Sequence, residues 1–329
     1  MRLEMAPLEG LTTYIFRNAY AKHFGCMDKY YTPFLSLHKE KEFSHKEKQE
    51  VFLENNKGLW VVPQVLTNSA EDFLKAAKTL KEMGYEEVNI NLGCPSGTVV
   101  PKGKGAGLLS DPKRLEEFLE ECFESTPVKI SVKTRLGMEE EEEWEKLLGI
   151  YNRFPLEELI VHARVREDYY KKSVRWEAFA KALKQSKCPV CYNGDIFTVE
   201  DYIRLTERFP KLEAVMLGRG LLRNPGLAEE ICRAEAIGRV AKGTCDRTCV
   251  KEEEHKYYIK LRAFHDELYS GYQQILSGER NVLFKMKEFW SYLLCGFPDM
   301  EKQLKKLHKL KNCAEYESWV RILFQSVDI

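Results

Sequence analysis

Net charge is what this chain lacks most completely: 51 Lys and Arg stand against 51 Asp and Glu over 329 residues. Affinity for a polyanion must then come from local patches, because no global field draws one in. No apolar run reaches the ~20 residues of a bilayer span. The first ten residues, MRLEMAPLEG, lack the apolar core of a signal peptide, which sets the expected location as cytoplasmic. Repeats of solenoid period and low-complexity segments are absent, which excludes stacked arrays and disordered scaffolds. Cys188-Pro189-Val190-Cys191 has C-x-x-C spacing but no matching second pair, and Cys245 and Cys249 stand C-x3-C in a polar connector. The ten cysteines therefore read as reduced thiols; a metal site on two of these pairs is the lesser reading, and none is assigned.

What is present is ordinary globular material, 44% hydrophobic and 31% charged, enough for one large domain and a smaller one. The stretch Glu86 to Leu109, EEVNINLGCPSGTVVPKGKGAGLL, organises the rest. Val88, Ile90 and Leu92 alternate with Asn89 and Asn91, the period of a strand. Gly93-Cys94-Pro95 breaks it, and a flexible Lys/Gly loop is expected from Lys102 to Gly107. A cysteine there is either a small buried hydrophobe or a catalytic thiol at the mouth of an α/β barrel.

Around this stretch strands and helices alternate. Strands are expected at 1–7, 27–34, 59–66 (with Pro63 marking a bulge or an end), 88–92, 128–133, 159–162, 190–193 and 214–217. Helix signals lie between them: Asn68 with Glu71 as a capping box, Asp111-Pro112 as an N-cap and first helical position, Thr198 as a third cap. Residues 139–143, all glutamate, read as the acidic start of a helix. Eight such units predict a closed (β/α)8 barrel over residues 1–240. After the polar connector only helical patterns remain, at 257–272, 281–294 and 300–324, so 241–329 reads as an appended all-helical domain. The fold class is α/β, a TIM barrel with a helical C-terminal domain.

Barrel chemistry belongs at strand C-termini. Those ends carry Ala6-Pro7, Gln64, Asn91 with Cys94, Lys133 with Arg135, His162 with Arg164, Asn193-Gly194-Asp195 and Gly218-Arg219-Gly220. A lone Gln, Asn or His is usually a satisfied structural group; a packed floor has no need of seven polar clusters in succession. The last two stand where barrels often bind phosphate. A buried Lys133 asks for a negative charge.

Met5-Ala6-Pro7-Leu8-Glu9-Gly10, Phe16-Arg17, Gln64, Asn91-Leu92-Gly93-Cys94-Pro95, Gly105-Ala106-Gly107-Leu108-Leu109, Val132-Lys133-Thr134-Arg135-Leu136-Gly137, Asn193-Gly194-Asp195-Ile196 and Gly218-Arg219-Gly220 resemble the dihydrouridine synthases, flavin enzymes that reduce uridine in tRNA. The resemblance runs through nearly the whole chain in order. It implies FMN over the barrel mouth, with Met5, Ala6, Pro7, Gln64, Lys133 and His162 at the ring or ribityl chain. Asn193, Gly194, Asp195, Gly218 and Arg219 would hold the ribityl chain and phosphate. Two stretches depart from the family pattern: Ser96-Gly97-Thr98-Val99-Val100-Pro101 after G-C-P, and His162-Ala163-Arg164-Val165 in place of H-G-R-T.

The family chemistry needs a hydride at C6 and a proton at C5 of uracil, with NADPH reducing FMN and Cys94 as the general acid. The uridine must leave its stack, so RNA contacts elsewhere must offset that cost. Candidates are Asn91, Lys102, Lys104, Arg135 and Arg164 near the mouth, and Lys285, Lys287, Lys305, Lys306 and Lys309 in the helical domain. A Lys-rich helix face is often only solvated surface. Two rivals stay open, the same chemistry on ribosomal RNA and an FMN oxidoreductase of the dihydroorotate dehydrogenase or ene-reductase type; Cys94 and Lys133 argue against a third, a non-catalytic RNA-binding barrel. The chain is expected to act as a monomer.

Overall fold

The computed structural model describes residues 1–38, 42–240, 247–297 and 299–327, the side chains of 237–240 and 247–252 excepted. Cys245 and the side chain of Cys249 thus lie outside the described residues, as do Lys39, Glu40 and Lys41. Two compact units emerge.

The first unit comprises residues 1–14, 27–195 and 204–218. Its strands are β1 (Arg2–Met5), β2 (Lys29–Tyr31), β3 (Val61–Val62), β4 (Gln64–Val65), β5 (Glu87–Leu92), β6 (Lys129–Arg135), β7 (Leu159–His162), β8 (Val190–Asn193) and β9 (Ala214–Leu217). They form one sheet in the order β3-β2-β1-β9-β8-β7-β6-β5-β4, and every pairing is parallel. The two ends of that order, β3 and β4, are halves of a single chain run split at Pro63. Proline has no N–H to give to a ladder, while its carbonyl accepts from Asn89 N at 2.8 Å. The expected interruption is there, and it is the seam at which the barrel closes.

Ala6, Tyr31, Val62, Ile160, Cys191, Ala214 and Met216 fill the barrel interior. Cys191 is thus a core thiol, fully buried. Below this layer, at the N-terminal strand ends, the floor is charged rather than apolar. Arg2 Nε donates to Glu4 at 2.7 Å, and Arg2 also pairs with Glu158. Lys29 Nζ meets Glu87 at 3.0 Å and Glu158 at 3.4 Å, and Tyr31 donates to Glu158 at 2.9 Å. Burial first, then the charge of Glu158, pushes Glu4 up to about 7.

Local signals place the helices with some corrections. Helix α3 (Ala70–Glu82) is capped by Ser69, whose hydroxyl accepts from Asp72 N, and not by Asn68. The Asn68 amide instead donates to the Lys102 carbonyl at 3.0 Å. A full capping box stands elsewhere, Ser44 with Glu47, at the head of α2 (His45–Val51). Asp111 caps α4 (Pro112–Ser125) as its sequence implies. The acidic run does not begin a helix at 139: α5 is Glu143–Tyr151, and the Glu143 carboxylate accepts from the N–H groups of Met138, Glu139 and Glu140 at 2.8–2.9 Å. Helix α6 (Trp176–Gln185) follows β7, and α7 (Val199–Arg208) follows β8.

The second unit comprises residues 15–26, 196–203 and 219–329. It holds most of α1 (Tyr14–His23), then α8 (Arg219–Arg223), α9 (Leu227–Val240), α10 (Arg247–Ile275), α11 (Glu279–Leu293), α12 (Met300–Lys309) and α13 (Cys313–Gln325). α1 belongs here because Phe16 stacks on Phe289 and meets Phe264 edge-on, both at 5.5 Å between ring centres. The helix expected at 300–324 is two, separated at 310–312, where Asn312 caps α13 by accepting from Glu315 N. Inside, Trp290 Nε1 and His265 Nε2 converge on the Tyr316 hydroxyl at 2.7 and 2.6 Å. The expected domain boundary after residue 240 falls beside residues 241–246, which are not described.

Candidate active site

The C-terminal ends of β4, β5, β6, β7 and β8 bring their polar residues together. In parallel register Gln64 lies beside Asn89, Asn91 beside Lys133, and His162 beside Asn193. Alternation along β5 turns Asn89 and Asn91 to the same face, and a chain of amides results. Asn91 Nδ2 donates to Gln64 Oε1 at 2.7 Å, Gln64 Nε2 to Asn89 Oδ1 at 2.8 Å, and Asn89 Nδ2 to Ser131 Oγ at 2.9 Å. The other end of the Asn91 amide receives the N–H of Gly93 at 3.1 Å and of Cys94 at 2.9 Å. The turn that carries the thiol is therefore fixed to the sheet by a side chain.

Cys94 is half-buried. Burial pushes its thiol up from the ordinary value, against the opposing pull of the Ser96 N–H and the Arg135 charge. Cys94 O accepts from Ala106 N at 3.1 Å, and Gly105, at φ +56°, lies so close that an added Cβ would sit 2.9 Å from the cysteine's own Cβ. The segment expected to be an open, flexible loop is packed: two 3-10 turns, Val100–Lys102 and Gly105–Ser110, with Gly105 to Leu109 buried. Leu108 and Leu109 supply the apolar surface that holds it down. Lys102 points outward and Lys104 is half-buried.

Lys133 Nζ donates to a neutral oxygen, Asn193 Oδ1, at 2.9 Å, while Asn193 Nδ2 donates to Met216 O. Burial, then the neighbouring Arg135 charge, brings this ammonium down to about 7. A lysine so placed is short of a negative charge. The turns after β8 and β9 are packed tightly, since a Cβ on Gly194 would collide with the Tyr192 hydroxyl and one on Gly218 would sit 3.3 Å from Ala6 Cβ. Met5 and Ala6 are buried and Pro7 is half-buried at the end of β1. Arg219, next after Gly218, opens α8 with its guanidinium 5.4 Å from the Phe197 ring centre.

Arg135 and Arg164 differ most from their expected part. Both are buried to within 1% and spend their donors inside the protein. Arg135 Nε donates to Gly93 O at 2.9 Å, and its Nη1 to the carbonyls of Val165 and Tyr169 at 3.0 Å. Arg164 grips Asp195 through both terminal nitrogens and gives Nε to Lys172 O at 2.6 Å. They brace the loop after β7 and leave no N–H of theirs on the surface. Tyr170, which sequence reasoning passed over, stands 44% exposed on that loop, its ring 5.4 Å from the Arg135 guanidinium and 5.8 Å from His162. A Tyr-Tyr pair in a polar loop carries no periodicity to mark it.

In the helical unit, Lys285 is paired with Glu288 at 2.6 Å, and Lys287 donates to the carbonyls of His308 and Leu310 at 3.2 and 2.6 Å. Lys305, Lys306 and Lys309 are exposed, and with Lys302 they border a hollow of about 580 Å³ on α12.

With this geometry in place, comparison with known proteins is decisive. A family model described as dihydrouridine synthase matches residues 4–315. The chain belongs to the dihydrouridine synthase family. A tRNA-dihydrouridine(16) synthase of Aquipseudomonas alcaligenes is 30% identical over 243 residues, which cover 72% of this chain and 76% of the relative. A probable tRNA-dihydrouridine synthase 2 of Bacillus subtilis (strain 168) is 28% identical over 232 residues, 67% of this chain and 69% of the relative. Among solved structures, a variant of NCR from Zymomonas mobilis matches with TM-score 0.51 at 15% identity, covering 71% of this chain and 86% of that one. A morphinone reductase mutant in complex with tetrahydroNAD gives TM-score 0.51 at 13% identity, covering 72% of this chain and 87% of that one. At such identities these two speak for the fold alone. As a dihydrouridine synthase the chain is an oxidoreductase built on a barrel of parallel strands, and no helix of its described residues is long and apolar enough to cross a membrane.

Proposed function

We propose that the chain reduces the C5–C6 bond of uridine in tRNA, with FMN at the barrel mouth, NADPH as reductant and Cys94 as proton donor. The observation that carries the reading is the pairing of a thiol held in place by Asn91 with a half-desolvated Lys133 that has only a neutral partner, near enough that each feels the other's charge. Those residues fit a flavin: Lys133, whose side chain meets only the neutral Asn193 Oδ1, offers a cation to an electron-rich ring.

When bound, a reduced flavin supplies the hydride for C6 of the base. The rest falls to the protein. Cys94 gives the proton to C5, and its raised value keeps it protonated at neutral pH, as a general acid requires. Half-exposed, the resulting thiolate regains its proton from solvent. Gln64, through Asn91, fixes the turn from which the thiol acts. Met5, Ala6, Pro7, Gln64, Lys133, His162, Asn193, Gly194, Asp195 and Gly218 are the flavin-binding set, and the exposed ring of Tyr170 is a surface on which an unstacked base can lie. Lys102 and Lys104 near the thiol, and Lys305, Lys306 and Lys309 on α12, meet phosphates. Arg135 and Arg164 act from behind, by bracing.

Both relatives are named for tRNA, which favours that substrate over ribosomal RNA. Purified protein should be yellow and release FMN on denaturation. It should form dihydrouridine in tRNA isolated from a strain that lacks the gene. A colourless protein that takes up no FMN, or one that modifies ribosomal RNA alone, overturns the reading.

A further inference from the structure

Phe284 is the most exposed large apolar side chain among the described residues, at 72%. It lies on α11, whose buried face is already complete with Val282, Leu283, Met286, Phe289, Trp290 and Leu293. The ring takes no part in packing that helix and forfeits the gain of burial. At helical spacing Arg280, Phe284 and Lys287 share one face, a ring between two cations.

That face is joined to the lysine helix. Lys287 Nζ donates to the carbonyls of His308 and Leu310, which clamps the C-terminal end of α12 against α11 one turn from Phe284. From 279 to 311 there are eight Lys and Arg against four Asp and Glu, in a chain whose formal net charge is +0. Among the described residues Lys305, Lys306 and Lys309 have no ion-pair partner. An apolar protein surface docking on the ring would have to strip water from these ammonium groups without returning a charge. A single-stranded nucleic acid answers both features at once, with a base for the ring and phosphates for the cations.

We propose that Phe284 is a stacking platform for an unpaired base of the RNA substrate, with the α12 lysines holding phosphates beside it. This rests on the RNA reading above and adds to it a contact made through a ring, outside the barrel.

The test compares flavin-loaded full-length protein with its Phe284→Ala, Phe284→Tyr and Lys305→Gln/Lys306→Gln/Lys309→Gln variants, binding an unmodified tRNA transcript at several salt concentrations. Phe284→Ala should weaken binding roughly 5- to 100-fold with the slope of log affinity against log salt unchanged, because no ion is released at a ring. Phe284→Tyr should restore affinity. The lysine variant should instead flatten the slope, by somewhat less than one for each phosphate lost. NADPH-driven flavin reduction should match the parent in both Phe284 variants. Parent-like binding by Phe284→Ala overturns the platform while the RNA reading stands. So does a parent dimer in light scattering that Phe284→Ala dissolves, since the ring then serves a contact between copies. If the parent binds no transcript at any salt, the RNA reading itself fails.

Discussion

The side-chain oxygen of Asn91 accepts the backbone N–H of Cys94 at 2.9 Å, and that of Gly93 at 3.1 Å, so an amide on β5 sets where the thiol stands. Asn91→Ala removes both bonds and frees the turn. Dihydrouridine formation should fall about 10²-fold, the usual cost of a reacting group displaced by an ångström, with FMN content intact. Asn91→Asp keeps the acceptor, loses the donor to Gln64, and should fall between. Single-turnover reoxidation of pre-reduced flavin by substrate RNA gives the rates; parent-like values in Asn91→Ala would show that the turn holds itself.

Cys94→Ala should leave the fold, FMN content and reduction by NADPH unchanged while product formation drops roughly 10²–10⁴-fold. Because burial raises this thiol, the parent's single-turnover rate should stay flat from neutral pH into the ordinary thiol range, and alkylation of Cys94 by iodoacetamide should be slow at pH 7. Cys191→Ala, a substitution within the core, should affect stability alone. A rate that falls off already between pH 6 and 7 would give the proton to another group.

Lys133 sits at about 7 without an anion beside it, and a ligand that favours its charged form must raise it. Flavin binding should then take up a proton above pH 7, and affinity should decline as pH rises from there, by at most tenfold per unit. Lys133→Met should bind more weakly and lose that pH dependence. Titration calorimetry in two buffers of different ionisation enthalpy reads the proton directly; no uptake at pH 8 would remove Lys133 from the ligand's surroundings.

Glu4 on the barrel floor is raised to about 7 by burial and by Glu158. A carboxyl with a raised value in the folded state binds its proton more tightly there than in the unfolded chain. Its contribution to stability is full below about pH 4.5 and lost as pH rises through about 7. The full swing is roughly 3 kcal/mol at 1.36 kcal/mol per unit. Glu4→Gln should abolish this slope, which urea unfolding at pH 5, 6, 7 and 8 would measure. The same slope in parent and variant would place the titration elsewhere.

Much of this is legible in the sequence. Strand period, caps at Asp111 and the break at Pro63 are local, and they act where the sequence places them. The polar strand ends were legible too, because parallel register aligns them. What was not legible depends on partners far along the chain. Nothing near Arg135 announces the carbonyls of Val165 and Tyr169, and nothing near Arg164 announces Asp195, so both read as RNA contacts at the barrel mouth. Phe16 lies 248 residues before Phe264, and contacts of that span move α1 into the helical unit. The charged floor escaped notice because Arg2, Lys29, Glu87 and Glu158 are scattered singly among apolar runs.

The seam at Pro63 is covalent, so the joint that must be found during folding is the other one, where Arg2–Met5 pairs with Ala214–Leu217. At about 5–20 residues per second of synthesis, β1 waits roughly 10–40 s for β9 to leave the ribosome. Through that interval one edge of β1 is an unpaired ladder, open to any strand that meets it. Arg2 and Glu4 put charge of both signs on β1, the kind of residue that discourages such pairing.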